Sequence, residues 1–233
     1  MLLLAAGRGT RFGGPIPKAW LELGGKALVV HAAERLLKAA PAGATTELLV
    51  VVHPDDRRSA LPAVEGRLRA LAPEPGRLRI VDGGSTRQGS VQNGLAACSP
   101  DVDLVLVHDA ARALLPIAAT RDCIAAAARH GAALLAVPIA DTMKRVVGER
   151  VAGTVEREHM WAAQTPQIVQ AALLRRAFAH AAATGFVGTD DVSLVEHLGA
   201  PVVVVPGAPT NMKITRPDDL PLAAAILAAN LTP

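Results

Sequence analysis

Three short segments of this chain collect residue types that handle phosphates. The first is Ala5-Ala6-Gly7-Arg8-Gly9-Thr10-Arg11-Phe12-Gly13-Gly14, followed by Pro17-Lys18. A glycine-rich turn lets backbone N–H groups approach a phosphate chain closely, and Arg11 and Lys18 supply positive charge, so the segment suits a nucleoside triphosphate. Other nucleotide patterns do not match. The glycines at 7, 9 and 13 miss the GxGxxG spacing by one residue, no GK[ST] follows, and no acidic residue closes the second strand as a ribose ligand. A plain glycine-rich turn stays open as the other reading.

The second segment is Val107-His108-Asp109-Ala110-Ala111-Arg112. A carboxylate beside a phosphate site is what a hard cation such as Mg²⁺ requires, because it takes carboxylate and phosphate oxygens and keeps several waters. Asp109 is therefore the expected metal ligand. Standing alone it would read as a helix cap or a partner of Arg112, and only the glycine-rich segment reverses that order. The third segment is Gly83-Gly84-Ser85-Thr86-Arg87-Gln88-Gly89-Ser90. Its paired glycines expose backbone groups, and Ser85 and Ser90 suit a base edge. Taken alone it is an ordinary turn with a helix N-cap.

These segments need a frame that brings them to one place. Apolar, β-branched-rich runs at Met1 to Ala6, Leu48 to His53, Leu78 to Val81, Leu104 to His108, Leu134 to Pro138 and Val202 to Val205 read as strands buried on both faces. Helical patterns lie at Ala27 to Ala40, Asp55 to Ala72 with Pro62 disturbing it, Gln88 to Cys98, Ile117 to His130, Val169 to Ala183 and Pro217 to Ala229. Strands alternating with helices predict an α/β fold, a mostly parallel sheet with helices on both faces. Such a sheet holds its ligand at the carboxyl ends of its strands, where all three segments fall. Asp141 to Ala163 breaks the rhythm: polar and apolar residues alternate about Gly148-Glu149-Arg150, which predicts a protruding β-hairpin arm. An arm unable to bury both faces on its own sheet packs on something else, and a homodimer that exchanges arms is the expectation.

Composition narrows the function class. A chain of 233 residues is expected to form a single domain. Its hydrophobic residues, 51% of the total, lie in short runs, and none approaches the length a bilayer requires. Cys98 and Cys123 are too few for a disulfide framework and lack metal-ligand spacing, so a cytoplasmic location is expected. A net charge of +3 is scattered, and aromatics are 2% with no Tyr, which removes the stacking platform single-stranded nucleic acid uses. The cations present are enough for a small polyanion.

The segments LAAGRGTRFG with PK, GGSTRQGSV, HDAAR, DTMKR, TVER, TPQ, TDD and NMKITRP occur together and in order. In this the chain resembles the 2-C-methylerythritol 4-phosphate cytidylyltransferases from Leu3 to about Leu222. The resemblance implies a Rossmann-like nucleotidyltransferase fold, Mg²⁺ dependence, CTP and methylerythritol 4-phosphate as substrates in the non-mevalonate route to isoprenoids, and a dimer joined through the arm. It implies that Ala5, Ala6, Gly7, Gly9, Gly84, Ser85 and Ser90 surround the nucleotide, with Ala110 beside the ribose and Arg112 nearby. Arg11 and Lys18 would stabilise the triphosphate and the transition state, and Asp109 would hold the metal. Thr142 and Arg157 from the partner's arm, with Lys213, would grip the acceptor phosphate.

Without that context Lys213 reads as a solvated lysine and Arg157 as a partner of Glu156 or Glu158. Thr189, Asp190 and Asp191 read as a helix N-cap, outside the site. The chain departs from the family pattern at Leu4, Phe12, Ala19, Gly89 and Glu156, and none of these removes a charge the chemistry needs. Two other readings stay open: a ribitol 5-phosphate cytidylyltransferase, and a non-catalytic nucleotide-binding regulator that has kept the pocket.

Overall fold

A computed structural model describes residues 1–7, 12, 16–72, 74 and 77–229. Eight helices and eleven strands follow one another from β1 (Leu2–Leu4) to α8 (Asp219–Ala228) among these residues. Seven strands make the central sheet, in the spatial order β11 (Val203–Pro206), β7 (Ala132–Pro138), β10 (Trp161–Gln170), β6 (Leu104–Asp109), β1, β4 (Leu48–Val52) and β5 (Leu78–Asp82). All neighbouring pairs are parallel except those of β10, which runs antiparallel to both β6 and β7.

The sequence dictates this burial. In β4 every side chain of Leu-Leu-Val-Val-Val is fully buried, as expected where both faces of a parallel strand are covered. Adjacent residues divide between two cores. Leu3 and Val50 join a cluster with Leu36 of α1 (Leu28–Ala39), Leu68 of α3 (Pro62–Leu71) and Cys123 of α5 (Ile117–His130). Leu2 and Leu49 face the opposite way, toward Val91 of α4 (Arg87–Ala97), Leu174 of α6 (Ala171–Thr184) and Val195 of α7 (Asp191–His197). Helices therefore cover both faces. A third, smaller cluster joins Leu23, Leu114 and Ile214 to Ala223 of α8.

Departures from the predicted elements have local causes. The helix expected from Asp55 to Ala72 is two, α2 (Pro54–Ser59) and α3, because Pro62 cannot continue the first but suits the opening turn of the second. A short hairpin of β2 (Glu22–Leu23) and β3 (Lys26–Ala27) precedes α1. The expected arm is a hairpin of β8 (Met143–Val147) and β9 (Arg150–Val155), but Trp161 onward leaves it to form β10 inside the central sheet. The segment from Thr189 to Asp191 does open a helix: the Asp190 side chain caps α7 by accepting from the Ser193 N–H at 3.0 Å. Among the described residues no helix is long and apolar enough to cross a membrane.

Candidate functional site

The chain leaves β1 outward to β4 and β5 on one side and returns to β6 on the other. Strand order thus reverses at β1, and the strand ends there open a crevice. A cavity of about 380 Å³ occupies it. The end of β1 contributes Leu4, Ala5, Ala6 and Gly7, the residue after β4 is His53, the β5–α4 loop contributes Gly84 to Thr86, and α4 contributes Arg87 and Ser90. Asp109 and Ala111 enter from β6, Lys18 and Ala19 from a single 3-10 turn, and Lys213 from the segment before α8. Gly9 and Arg11 lie outside the described residues.

Each charged group is held by its own local structure. The turn Lys18–Trp20 is pinned by Trp20, whose indole N–H donates to Asp56 Oδ2 at 3.0 Å, while Ala19 and Trp20 are buried. Lys213 is carried by a segment fixed on both sides. Buried Asn211 donates to Gln164 Oε1 at 3.0 Å and to the Thr165 carbonyl at 2.9 Å, and the Ile214 N–H donates to the Ala111 carbonyl at 2.9 Å. Lys213 is accordingly not a solvated lysine: its Nζ lies 2.6 Å from Asp109 Oδ2. Arg87 Nη2 lies 3.5 Å from the other oxygen. Burial alone would raise the Asp109 pKa, but the charges of Arg87 and Lys213 outweigh it and hold the carboxyl well below the usual carboxylate range. Asp109 is a permanent anion facing the cavity.

Behind Asp109 the packing is polar and closed. Its N–H donates to Thr165 Oγ1 at 3.1 Å, Thr165 Oγ1 is 3.0 Å from His108 Nδ1, and His108 Nε2 is 3.0 Å from the Arg112 carbonyl. Burial pushes the His108 pKa down to about 4, so the ring is neutral at pH 7 and adds no charge to the site. The Arg112 guanidinium donates to the Asn211 carbonyl at 2.7 Å, bracing the Lys213 segment. Ala110 is fully buried with its N–H on the Leu4 carbonyl at 3.0 Å, and the residue on the cavity wall is Ala111.

Ser90 works inside the loop. Its hydroxyl accepts the Gly84 N–H at 3.1 Å and donates to the Thr86 carbonyl at 2.9 Å, fixing the turn, while Ser85 stays exposed on the cavity rim. Gly83 is required by close approach. A Cβ there would meet Ala6 Cβ at 2.6 Å and Ser90 Oγ at 3.0 Å. Gly83→Ala is thus expected to push the loop off the end of β1, lowering stability by about 1–3 kcal/mol. Binding of the nucleotide expected from the sequence, read by calorimetry, should weaken at least tenfold, a change equal to about 1.4 kcal/mol.

Thr142 and Arg157 are exposed, one just before β8 and the other just after β9, and neither lines this chain's own cavity. Among the wall residues that escaped the sequence reading, besides Ala111, are three polar ones. His53 ends a strand that was expected, Thr86 caps α4 by accepting the Gly89 N–H at 2.9 Å, and Arg87 stands within a segment singled out for its glycines and serines.

A switch-point crevice edged by glycines and faced by lysines and one ionised carboxylate is the layout of a Rossmann-like nucleotidyltransferase. A family model described as 2-C-methyl-D-erythritol 4-phosphate cytidylyltransferase matches residues 1–229. An enzyme of that name from Acidobacterium capsulatum is 43% identical over 240 residues, covering 97% of this chain and 96% of the relative. Another, from Chromobacterium violaceum, is 45% identical over 237 residues, covering 98% and 97%. The crystal structure of the enzyme of that name from Thermus thermophilus superposes with a TM-score of 0.76 at 37% identity, covering 97% of this chain and 98% of that one. The chain belongs to the 2-C-methyl-D-erythritol 4-phosphate cytidylyltransferase family.

Proposed function

We propose that this chain transfers the cytidylyl group of CTP to 2-C-methyl-D-erythritol 4-phosphate, releasing pyrophosphate and forming 4-diphosphocytidyl-2-C-methyl-D-erythritol. The observation that carries the reading is the meeting of Lys18, Asp109 and Lys213 on one glycine-edged cavity. An oxygen of the acceptor phosphate attacks the α-phosphorus, the bond from that phosphorus to the bridging oxygen breaks, and pyrophosphate departs with the electron pair. The nucleophile is already an anion, so no general base is needed. The barrier lies in bringing two anions together, and positioned cations lower it. Lys18, with Arg11, serves the triphosphate, and Lys213 serves the acceptor.

A divalent cation fits the donors. Asp109 is ionised, faces the cavity and offers one carboxylate, and Mg²⁺ is commonly bound by one or two carboxylates together with substrate phosphates. Bound there it would neutralise charge on the phosphates. Asp109 would hold it, and Arg87 and Lys213 keep that carboxylate oriented.

The arm completes the assignment. Val146, Val147 and Val151 on the hairpin are exposed by 53%, 70% and 63%, and a two-stranded ribbon of this kind is marginal without a surface to pack on. A second copy provides that surface, and Thr142 and Arg157 then reach the partner's cavity to hold the acceptor phosphate. A cytoplasmic location goes with this reading, since both cysteines are free thiols.

The test is pyrophosphate release from CTP and Mg²⁺ with methylerythritol 4-phosphate, run beside ribitol 5-phosphate and beside ATP, GTP and UTP. Turnover confined to CTP and methylerythritol 4-phosphate is the expected result. Preference for ribitol 5-phosphate would reassign the acceptor, and tight CTP binding without pyrophosphate release would make the protein a nucleotide-binding regulator.

A further inference from the structure

Asp109 has two cations within reach, and they are held very differently. Lys213 contacts one carboxylate oxygen at 2.6 Å through a single amine on a flexible stem. Arg87 stands 3.5 Å from the other oxygen with its guanidinium gripped at two points by Asp191, Nη1 to Oδ1 at 2.9 Å and Nη2 to Oδ2 at 2.7 Å. The Asp191 side chain is only 2% exposed. Its backbone N–H and that of Val192 donate to Gln167 Oε1 at 2.8 and 3.1 Å, and Gln167 Nε2 donates to Asp190 Oδ2 at 2.7 Å. Gln167 sits two residues along β10 from Thr165, which receives the Asp109 N–H. One strand thus fixes Asp109 from its backbone and fixes the Arg87 clamp through α7.

We propose that Arg87, clamped by Asp191, is the stationary counter-charge of Asp109, and that Asp191 is a positioning residue for the transfer. The inference rests on the reading of Lys213 as the acceptor's cation. When the acceptor phosphate arrives, Lys213 divides its charge between that phosphate and Asp109. Beside the metal that Asp109 would hold, the buried carboxylate then keeps one protein cation that cannot follow the substrate, and a bidentate guanidinium is such a cation. Asp191 touches no reacting atom and acts through Arg87.

The experiment measures kcat and KM for CTP and methylerythritol 4-phosphate in Asp191→Asn, Arg87→Lys, Asp109→Asn and the double variant Asp109→Asn with Asp191→Asn, beside thermal melting. Asp191→Asn should lower kcat roughly tenfold or more while KM for CTP moves less than about threefold, the pattern of an interaction made in the transition state. The double variant should be no slower than Asp109→Asn alone, because residues acting through one another are not additive. Should Asp191→Asn fail to fold, Arg87→Lys decides: it keeps a charge but loses the fork, and the same kcat-selective loss is expected. Full kcat in the folded single variants, or losses that multiply in the double, would overturn the positioning role while an active unmodified protein leaves the transfer reading intact. An unmodified protein inactive on these substrates would overturn both.

Discussion

Lys18→Ala is expected to lower turnover by roughly a hundredfold or more, the loss typical of removing one preorganised charge contact from a transferase-type site. Lys18 opens the 3-10 turn Lys18–Trp20. Its buried anchors are Ala19 and Trp20, the latter bonded through its indole to Asp56, so the turn keeps its place when the lysine is shortened. The folded state should therefore survive the substitution. What it removes is a positive charge on the wall of the cavity that Ala5, Ala6 and Gly7 also line. Negative charge shifts toward the leaving pyrophosphate as the reaction proceeds, so the interaction strengthens in the transition state and the loss should fall on kcat more than on KM for CTP. Steady-state pyrophosphate release, with circular dichroism melting to confirm folding, reads both quantities. A folded Lys18→Ala variant that retains most of its kcat would remove Lys18 from the chemistry.

The sheet was legible because its strands are buried on both faces. Leu48 to Val52 and Leu104 to Val107 show unbroken apolar runs, and their ends mark where a ligand must sit. β10 was not legible, although it lies in the middle of the sheet. Its sequence, Trp161-Ala-Ala-Gln-Thr-Pro-Gln-Ile-Val-Gln170, carries a cis Thr165-Pro166 bond and polar Gln164 and Gln167, and its register with β7 shifts between Ala163 and Gln167. Proline removes a ladder hydrogen bond and reads as a break, while the buried glutamines take most of their partners from distant segments, Ala208 and Asn211 for Gln164 and Asp190 to Val192 for Gln167. Ala5 to Gly7, Gly84, Ser85 and Ser90, which line the cavity, stand in local turns of ordered motifs and so could be marked from the sequence. The clamp of Arg87 by Asp191 could not, since 104 residues separate the two and neither segment alone announces the other. For the same reason Ala110 and Ala111 were not distinguishable: only the β6 register against Leu4 decides which of the two turns inward.

Arg157→Ala carries the other large effect, because it tests whether one cavity is built from two chains. Lys213 stands in the cavity of its own chain, while Arg157 lies exposed beyond the end of β9 and contributes nothing to that wall. If the partner's arm brings it to the acceptor, Arg157→Ala should lower kcat/KM for methylerythritol 4-phosphate by roughly a hundredfold and leave CTP binding as it was. Subunit mixing separates this from any effect within one chain. Lys18→Ala disables the cavity of the chain that carries it, whereas Arg157→Ala disables the cavity its arm enters. In a mixed dimer both defects then fall on the same site and the other site is intact. Equal amounts of the two inactive proteins, unfolded and refolded together, should recover about a quarter of normal activity, since half the dimers are mixed and each has one working site of two. No recovery, with mixed dimers demonstrated by a tag on one variant, would place Arg157 in the site of its own chain or outside the chemistry altogether. A protein that sediments as a monomer would remove the shared site, and the exposed valines of the hairpin would then need a partner other than a second copy.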